Sequence, residues 1–254
     1  MKGKFITDQG RVRNHNEDAG GLFINNANQY LSVIADGMGG HQAGDVASQM
    51  ATAIIEEKWL ESSEINKPEE AETWLKTVIL QVNKEIYAKS ISQKECKGMG
   101  TTVVMSICTS DFITVAHIGD SRCYMINEDG FSQITEDHSL VNELVRSGQI
   151  THEDAEHHPR KNVLLKALGT EEIIYPDIRT ISWEAGNMIL LCSDGLSNKI
   201  SDLELQSFLE TDESIEDTSK NLITLANERG GEDNISLVIV HHELHTKEEG
   251  EPTC

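Results

Sequence analysis

Five aspartates in this sequence stand where apolar runs meet loops: Asp18, Asp36, Asp120, Asp194 and Asp233. Asp36 and Asp194 each end an apolar run and are followed by glycine, in VIADGMGGH (33–41) and LLCSDGLSN (190–198). If the strands pack into one sandwich, several of these ends share one rim. This convergence is a hypothesis drawn from the pattern.

Carboxylates gathered without partners repel one another, and a divalent cation removes that repulsion. Carboxylate, carbonyl and water oxygens suit Mg²⁺, Mn²⁺ or Ca²⁺. The sequence has no His/Cys pattern with zinc spacing and no calcium-loop motif, so Mg²⁺ or Mn²⁺ is favoured. Gly37 would let its backbone carbonyl approach an ion without a Cβ in the way.

The alternative interpretation is that Asp-Gly is a turn dipeptide, as we expect for Asp129-Gly130 at a hairpin tip. The metal hypothesis depends on the aspartates together with Arg13, whose planar fork could clamp a phosphate. Two metals ~3.5–4 Å apart would share a water and hold it as hydroxide in line with phosphorus. The sequence has neither a G-x-S-x-G elbow nor a phosphate-binding P-loop.

Apolar, β-branched runs predict the strands that would carry these aspartates. They are YLSVIA (30–35), TTVVMSIC (101–108), FITVAHI (112–118), RCYMIN (122–127), MILLCS (188–193) and ISLVIVH (235–241), with a short strand at GLFIN. Short connections at 109–111, 119–121 and 127–130 predict antiparallel hairpins.

Three segments have helical periodicity. Residues 44–60 would bury Val46, Met50, Ala53 and Ile54, and residues 68–92 and 214–229 carry further apolar stripes. Helices and hairpins together predict two sheets covered by helices, an α+β sandwich. We expect one domain over residues 1–242 and a polar, frayed tail over 243–254.

Acids outnumber bases by 43 to 21, giving a net charge of −22, which argues against nucleic acid as a partner. No run is long enough to span a membrane, and the N-terminus lacks a signal-peptide core. The five scattered cysteines predict buried thiols and a cytosolic location. Residues 139–170, rich in His and bases, predict a mobile excursion.

The sequence resembles, in order and spacing, the bacterial metal-dependent protein phosphatases of type 2C. Seven motifs carry the resemblance: RVRNHNED (11–18), VIADGMGGH, GMGTT (98–102), HIGDSR (117–122), ITEDHSLV (134–141), LLCSDGLSN and GGEDNIS (230–236). It implies a four-layer α/β/β/α sandwich, a binuclear Mn²⁺/Mg²⁺ centre, and hydrolysis of phosphoserine and phosphothreonine in proteins. It places the family's flap, a variable segment, at about 139–170.

The resemblance also implies roles for individual residues. Asp36 would bridge two metals, the Gly37 carbonyl would bind one, and Asp194 and Asp233 would complete a shell. Asp18, and Glu17 with it, would act through water, while Asp120 with Asp194 would hold a third, looser metal. Arg13 would bind the substrate phosphate.

Some relatives carry a histidine as general acid directly after the Asp-Gly pair, where this chain has Met38. His41 or water is then the candidate that protonates the leaving group. The function predicted is a monomeric cytosolic phosphatase opposing a Ser/Thr kinase. The alternatives are a phosphatase dedicated to one anti-sigma-type partner, a catalytically dead interaction module, and a hydrolase of small phosphoesters.

Overall fold

The computed structural model describes residues 1–39 and 43–243. Within these ranges the strands are β1 Lys2–Asp8, β2 Asp18–Ile24, β3 Tyr30–Met38, β4 Gly100–Thr101, β5 Val103–Cys108, β6 Phe112–Ile118, β7 Arg122–Asn127, β8 Gly130–Gln133, β9 Asp177–Ser182, β10 Met188–Cys192 and β11 Ile235–His241. The helices are α1 Ala43–Leu60, α2 Pro68–Ser92, α3 Leu140–Arg146, α4 His152–Glu156, α5 Asp194–Ser197, α6 Asp202–Leu209 and α7 Ile215–Glu228.

The strands form two antiparallel sheets. One has the order β1-β11-β10-β7-β8, and the other has the order β2-β3-β5-β6-β9 with β4 paired to β3. A core containing Ile34, Val104 and Leu191 lies between the sheets. Helices α1 and α2 cover the outer face of the second sheet, and α5, α6 and α7 cover the first. The predicted α+β fold, with four α/β/β/α layers, is confirmed.

The predicted hairpin at residues 119–121 is wrong. Strand β6 pairs with β5 and β9, whereas β7 pairs with β10 and β8, so Gly119-Asp120-Ser121 crosses from one sheet to the other. Both strands are largely buried, so their sequences show no alternation of apolar and polar residues that would indicate which sheet each strand joins. The hairpins at 109–111 and 127–130 are confirmed.

The buried face of α1 also differs from the prediction. Small residues such as Ala47 and Ala51 face the sheet with Ile55, while Ala53 is exposed and Val46 is only partly buried. Small side chains let the helix axis approach the sheet closely, which the larger apolar residues would prevent. The face predicted for α2, containing Leu75, Val78, Ile79, Val82 and Ile86, is buried as expected.

The excursion at 139–170 contains α3 and α4, and its end is anchored rather than free. Leu168 is fully buried and exchanges two backbone hydrogen bonds with Thr101. The tail predicted at 243–254 lies outside the described residues except for Glu243, which pairs with Lys2. Among the described helices, none has the length and apolar character to cross a membrane.

Candidate metal centre

Asp18 and Asp36 face each other across the β2–β3 pair, where they are direct register partners. Like charges in this position repel. Asp18 is buried, and the Ser193 hydroxyl donates to its Oδ2 at 2.8 Å. Ser193 follows β10 of the other sheet, so this hydrogen bond joins the two sheets at the rim that carries both aspartates.

Asp194 and Asp233 come from that other sheet. Asp194 opens α5 directly after β10, and Asp233 lies two residues before β11. The two chain segments are held together because Ser193 N–H donates to the Ser236 carbonyl at 3.0 Å and Ser236 N–H donates to the Ser193 hydroxyl at 3.0 Å. A Cβ at Gly195 would lie 1.9 Å from the Asn234 carbonyl oxygen, so only glycine fits beside Asp194.

Asp120 lies on the crossing between β6 and β7. Nearby, Arg122 makes a bidentate pair with Asp137, with Nη2 2.8 Å from Oδ2 and Nε 3.0 Å from Oδ1. The Asp137 carbonyl accepts a hydrogen bond from the Asn142 side chain of α3 at 2.9 Å. The crossing that carries Asp120 is therefore linked to the start of the flap.

The pKa values of four of the aspartates are raised, and Asp233 contributes to three of these shifts, so the five aspartates form one electrostatic cluster. Burial raises the pKa of Asp18 to about 7, with repulsion from Asp194 and Asp233 adding to the shift. Burial raises the pKa of Asp120 to about 7, helped by repulsion from Asp194.

Burial and repulsion between carboxylates also act on Asp36 and Asp194. Burial and then repulsion from Asp18 and Asp194 raise the pKa of Asp36 well above its usual range. Burial and the nearby Asp233 raise the pKa of Asp194, which a hydrogen bond with Asp36 partly offsets. Burial and mutual repulsion thus disfavour the charged forms of Asp18, Asp36, Asp120 and Asp194 unless positive charge is brought to the cluster.

This donor set fits hard divalent cations. The five side chains offer only oxygen atoms, and their mutual repulsion would be relieved by Mn²⁺ or Mg²⁺. Within residues 1–39 and 43–243, no three His, Cys, Asp or Glu side chains already converge closely enough to hold an ion by themselves.

Arg13 and Glu17 lie beside the cluster in the loop between β1 and β2. Arg13 is about half exposed, and its Nη2 donates to Asp233 Oδ2 at 2.7 Å. Burial acts to lower the Arg13 pKa, but attraction to Asp233 outweighs it and the pKa is raised. The Glu17 side chain is mostly buried next to Gly44 in the first turn of α1, where the helix dipole favours a carboxylate.

Gly37 has a packing reason as well as the predicted chemical one. A Cβ there would lie 2.1 Å from the Gly44 carbonyl oxygen of α1 and 2.6 Å from that of Glu17. The neighbouring Met38 ends β3 opposite Gly100. His41, the candidate general acid, lies outside the described residues.

Sequence reasoning missed the polar residues that hold Asp36. The Asp36 N–H donates to the Thr102 hydroxyl at 3.0 Å, and its carbonyl accepts from the Thr101 hydroxyl at 2.9 Å. Thr102 in turn contacts the Ser121 hydroxyl at 2.7 Å. The signal was present, because the motifs GMGTT and HIGDSR place hydroxyl residues in otherwise apolar surroundings.

The four described cysteines are buried and free, and none supplies an alternative nucleophile. Burial raises the pKa of Cys192, the cysteine nearest the cluster in sequence, to about 12. A thiol with this pKa is almost entirely protonated at neutral pH. Cys192 is therefore not poised to act as a thiolate nucleophile beside the cluster.

A cleft of about 840 Å³ opens beside the cluster and reaches Asp120 and Asp194. One wall is formed by the flap, including Val141, Val145 and Lys161. The opposite wall is the segment 197–204, with Leu203 exposed on it. The residues that line the cleft thus come from two separate segments of the chain as well as from the carboxylate rim.

Comparison with known proteins agrees with this geometry. A family model described as Protein phosphatase 2C matches residues 9–234. A serine/threonine phosphatase (stp) of Listeria monocytogenes is 45% identical over 247 residues, covering 97% of this chain and 98% of that protein.

Two solved structures extend the comparison. The serine/threonine phosphatase Stp1 from Staphylococcus aureus has a TM-score of 0.90 at 38% identity, covering 96% of this chain and 95% of the other. The catalytic domain of the phosphatase PstP, solved with two manganese ions, has a TM-score of 0.83 at 31% identity, covering 94% and 96%. The chain belongs to the protein phosphatase 2C family and is a metal-dependent protein phosphatase.

Proposed function

We propose that this phosphatase hydrolyses phosphoserine and phosphothreonine in proteins with the help of Mn²⁺ or Mg²⁺. The observation that carries the proposal is the cluster of five mutually repelling aspartates, two of which, Asp120 and Asp194, line a cleft of about 840 Å³. The family membership and the serine/threonine phosphatase names of its relatives support it.

The proposed roles follow the position of each residue. Asp36 would contact two ions, and the Gly37 carbonyl would contact one of them. Asp194 and Asp233 would complete the ligand shell of one ion. Asp18 and Glu17 would act through water. Asp120 with Asp194 would hold a third, weaker ion.

Two such ions, when bound, supply a water of lowered pKa as the nucleophile and neutralise charge developing on the phosphate. Arg13 would bind the phosphate through guanidinium N–H groups not engaged by Asp233, which orients the phosphorus towards the carboxylate rim. The seryl or threonyl oxygen needs a proton as it leaves, and His41 or water would provide it.

The proposal includes a cellular setting. The chain would act as a cytosolic monomer, as a single domain over residues 1–242, and would reverse the action of a Ser/Thr kinase. Four buried free thiols support a reducing compartment. The flap at 139–170 would contribute to the choice of substrate, because it forms one wall of the cleft.

The test is hydrolysis of a phosphothreonine peptide by the purified chain in the presence of Mn²⁺. We expect phosphate release that excess chelator abolishes and that returns when Mn²⁺ is restored. Arg13→Ala should raise KM more than it lowers kcat. Full activity in chelator would contradict the metal mechanism, and an unchanged KM would contradict the role of Arg13.

A further inference from the structure

The loop that carries Arg13 has no regular structure, yet it is held at several points by one side chain. Asn234 is only 3% exposed and makes three hydrogen bonds into residues 9–17. Its Nδ2 donates to the carbonyl of Gln9 at 2.8 Å and to that of His15 at 3.1 Å. Its Oδ1 accepts from the Glu17 N–H at 2.8 Å. These bonds close the two ends of the loop onto a single amide.

A second layer of contacts carries this restraint to Arg13. The Gln9 side chain donates to the Arg13 carbonyl at 2.6 Å, and the Gly231 carbonyl accepts from the Arg11 N–H at 2.7 Å. Gly10 lies so close to Asp233 that a Cβ there would be 2.2 Å from the Asp233 carbonyl oxygen. The loop is therefore seated on the segment 230–234 over most of its length.

Few contacts from outside the 9–17 loop fix the position of the Arg13 side chain. The side chain is 45% exposed; Nη2 lies 2.7 Å from Asp233 Oδ2, and Nη1 lies 3.8 Å from Glu17 Oε2 at the end of the same loop. A long, exposed arginine loses considerable rotamer entropy when it binds in one geometry. The backbone from which it projects must then be fixed by other residues, and Asn234 supplies three of those bonds.

We propose that Asn234 is a positioning residue that holds the 9–17 loop so that Arg13 faces the substrate phosphate. The inference depends on the proposed function, since Arg13 must be the phosphate ligand for its position to affect catalysis. Asn234 contacts Asp233 through its backbone N–H, which donates to Asp233 Oδ1 at 2.8 Å. Truncation of the side chain leaves that N–H in place and removes only the loop contacts.

The experiment is a double-mutant cycle with Arg13→Ala and Asn234→Ala, assayed at saturating Mn²⁺ on a phosphothreonine peptide. We expect Arg13→Ala to raise KM by about 10-fold and Asn234→Ala to raise it by about 3- to 10-fold. In the double variant, the loss of Asn234 should add less than about 2-fold, because coupled residues are not additive. The Mn²⁺ concentration giving half activity should stay within about 2-fold.

Asn83 provides a matched control. Its side chain also donates to two carbonyls, those of Glu171 and Glu172, and accepts from the Gly169 N–H at 2.8 Å. Its bonds stabilise a loop that carries none of the candidate site residues. Asn83→Ala should lower Tm to a similar degree, and whatever change it makes in KM should be the same with and without Arg13.

If Arg13→Ala raises KM by itself and the effects of Arg13→Ala and Asn234→Ala on KM simply add in the double variant, the inference is overturned and the proposed function remains intact. An altered Mn²⁺ requirement shared by the single and double variants would also overturn it, because Asn234 would then act through the metal ligands. If Arg13→Ala leaves KM unchanged, the proposed role of Arg13 fails and the inference fails with it. Asn234→Ser, which adds no charge beside Asp233 and is too short to make the loop contacts, replaces the alanine variant if that protein does not fold.

Discussion

The carboxylate rim and the flap meet at the same cleft but are built differently. Asp18 and Asp36 project from strands of a sheet whose backbone and neighbouring hydroxyl groups are hydrogen-bonded and mostly buried. Helix α3 of the flap contains no buried residue, and the flap is joined to the rim at its two ends, around Asp137 and His138 and where Leu168 pairs with Thr101.

This difference separates two requirements of a protein phosphatase. Repelling carboxylates must be kept within reach of the same ions, which needs a scaffold that cannot relax away from the strain. A wall that contacts many protein substrates needs freedom to adjust, and loosely packed segments provide it at low cost in stability. Changes to the rim should therefore affect chemistry, and changes to the flap should affect the choice of substrate.

The largest effect is expected for Asp36→Asn. Loss of this carboxylate should lower kcat/KM about a thousandfold, equivalent to ~4 kcal/mol of barrier. In chelator the same variant should be more stable than the parent, because the cost of burying or protonating this carboxyl on folding is removed. Thermal denaturation with and without Mn²⁺, alongside the phosphopeptide assay, measures both. Asp129→Asn, at an exposed hairpin tip, should change neither quantity.

The rim should also make stability depend on pH when metal is removed. The folded-state pKa values of Asp18 and Asp120 are raised to about 7 from an ordinary value of 3.8. Each of these carboxyls contributes its full stability below about pH 4, where both the folded and the unfolded states are protonated, and that contribution is lost progressively as pH rises to about 7. In chelator, the two carboxyls should therefore lower Tm as pH rises from about 4 to about 7.

The buried histidines act in the opposite direction. Burial lowers the pKa of His117 and lowers that of His138 to about 4, so both favour the folded state increasingly as pH rises towards the ordinary value of about 6.5. The effect of the carboxyls is therefore the difference between the pH dependence of Tm in chelator and that in saturating Mn²⁺. Saturating Mn²⁺ should reduce or remove the decline in Tm, since the ions favour the ionised carboxylates. An equal decline with and without Mn²⁺ would show that the aspartates do not bind the ions.

An intermediate effect on KM is expected at Asp137, where the flap meets the carboxylate rim. Asp137→Asn leaves the Arg122 guanidinium without its bidentate partner in a largely buried place, at a cost of about 3 kcal/mol. We expect KM for a phosphoprotein to rise about 5- to 10-fold, with a smaller change for a small phosphoester, because the flap wall is displaced. Glu143→Gln, which breaks the exposed Arg146–Glu143 pair within α3, should cost less than about 1 kcal/mol.

The same contrast explains what the sequence could and could not predict. The aspartates that end apolar runs were visible because burial imposes a strong local pattern on the strands around them. The residues that hold the site in place were not visible in the same way. Asn234 is separated from its hydrogen-bond partner Glu17 by 217 positions, and no local pattern links them. Strand β1 was missed because KGKFITD is only partly buried at the sheet edge, which weakens alternation. The crossing at Asp120 was mistaken for a hairpin because three residues suffice for either connection.

The smallest effect is expected on the wall opposite the flap, at Leu203. This side chain is 77% exposed on the surface of the cleft, so Leu203→Ala should change the free energy of unfolding by no more than about 0.5 kcal/mol. If a substrate polypeptide lies in the cleft, the loss of apolar contact should raise KM for a phosphoprotein by about 2- to 3-fold and leave hydrolysis of a small phosphoester unchanged. Ile91→Ala removes a similarly exposed side chain on α2, away from the cleft, and should leave both substrates unaffected. Equal changes on both substrates for Leu203→Ala would mean that Leu203 acts on the catalytic rim, and the division between a chemical rim and a substrate-contacting cleft would not hold.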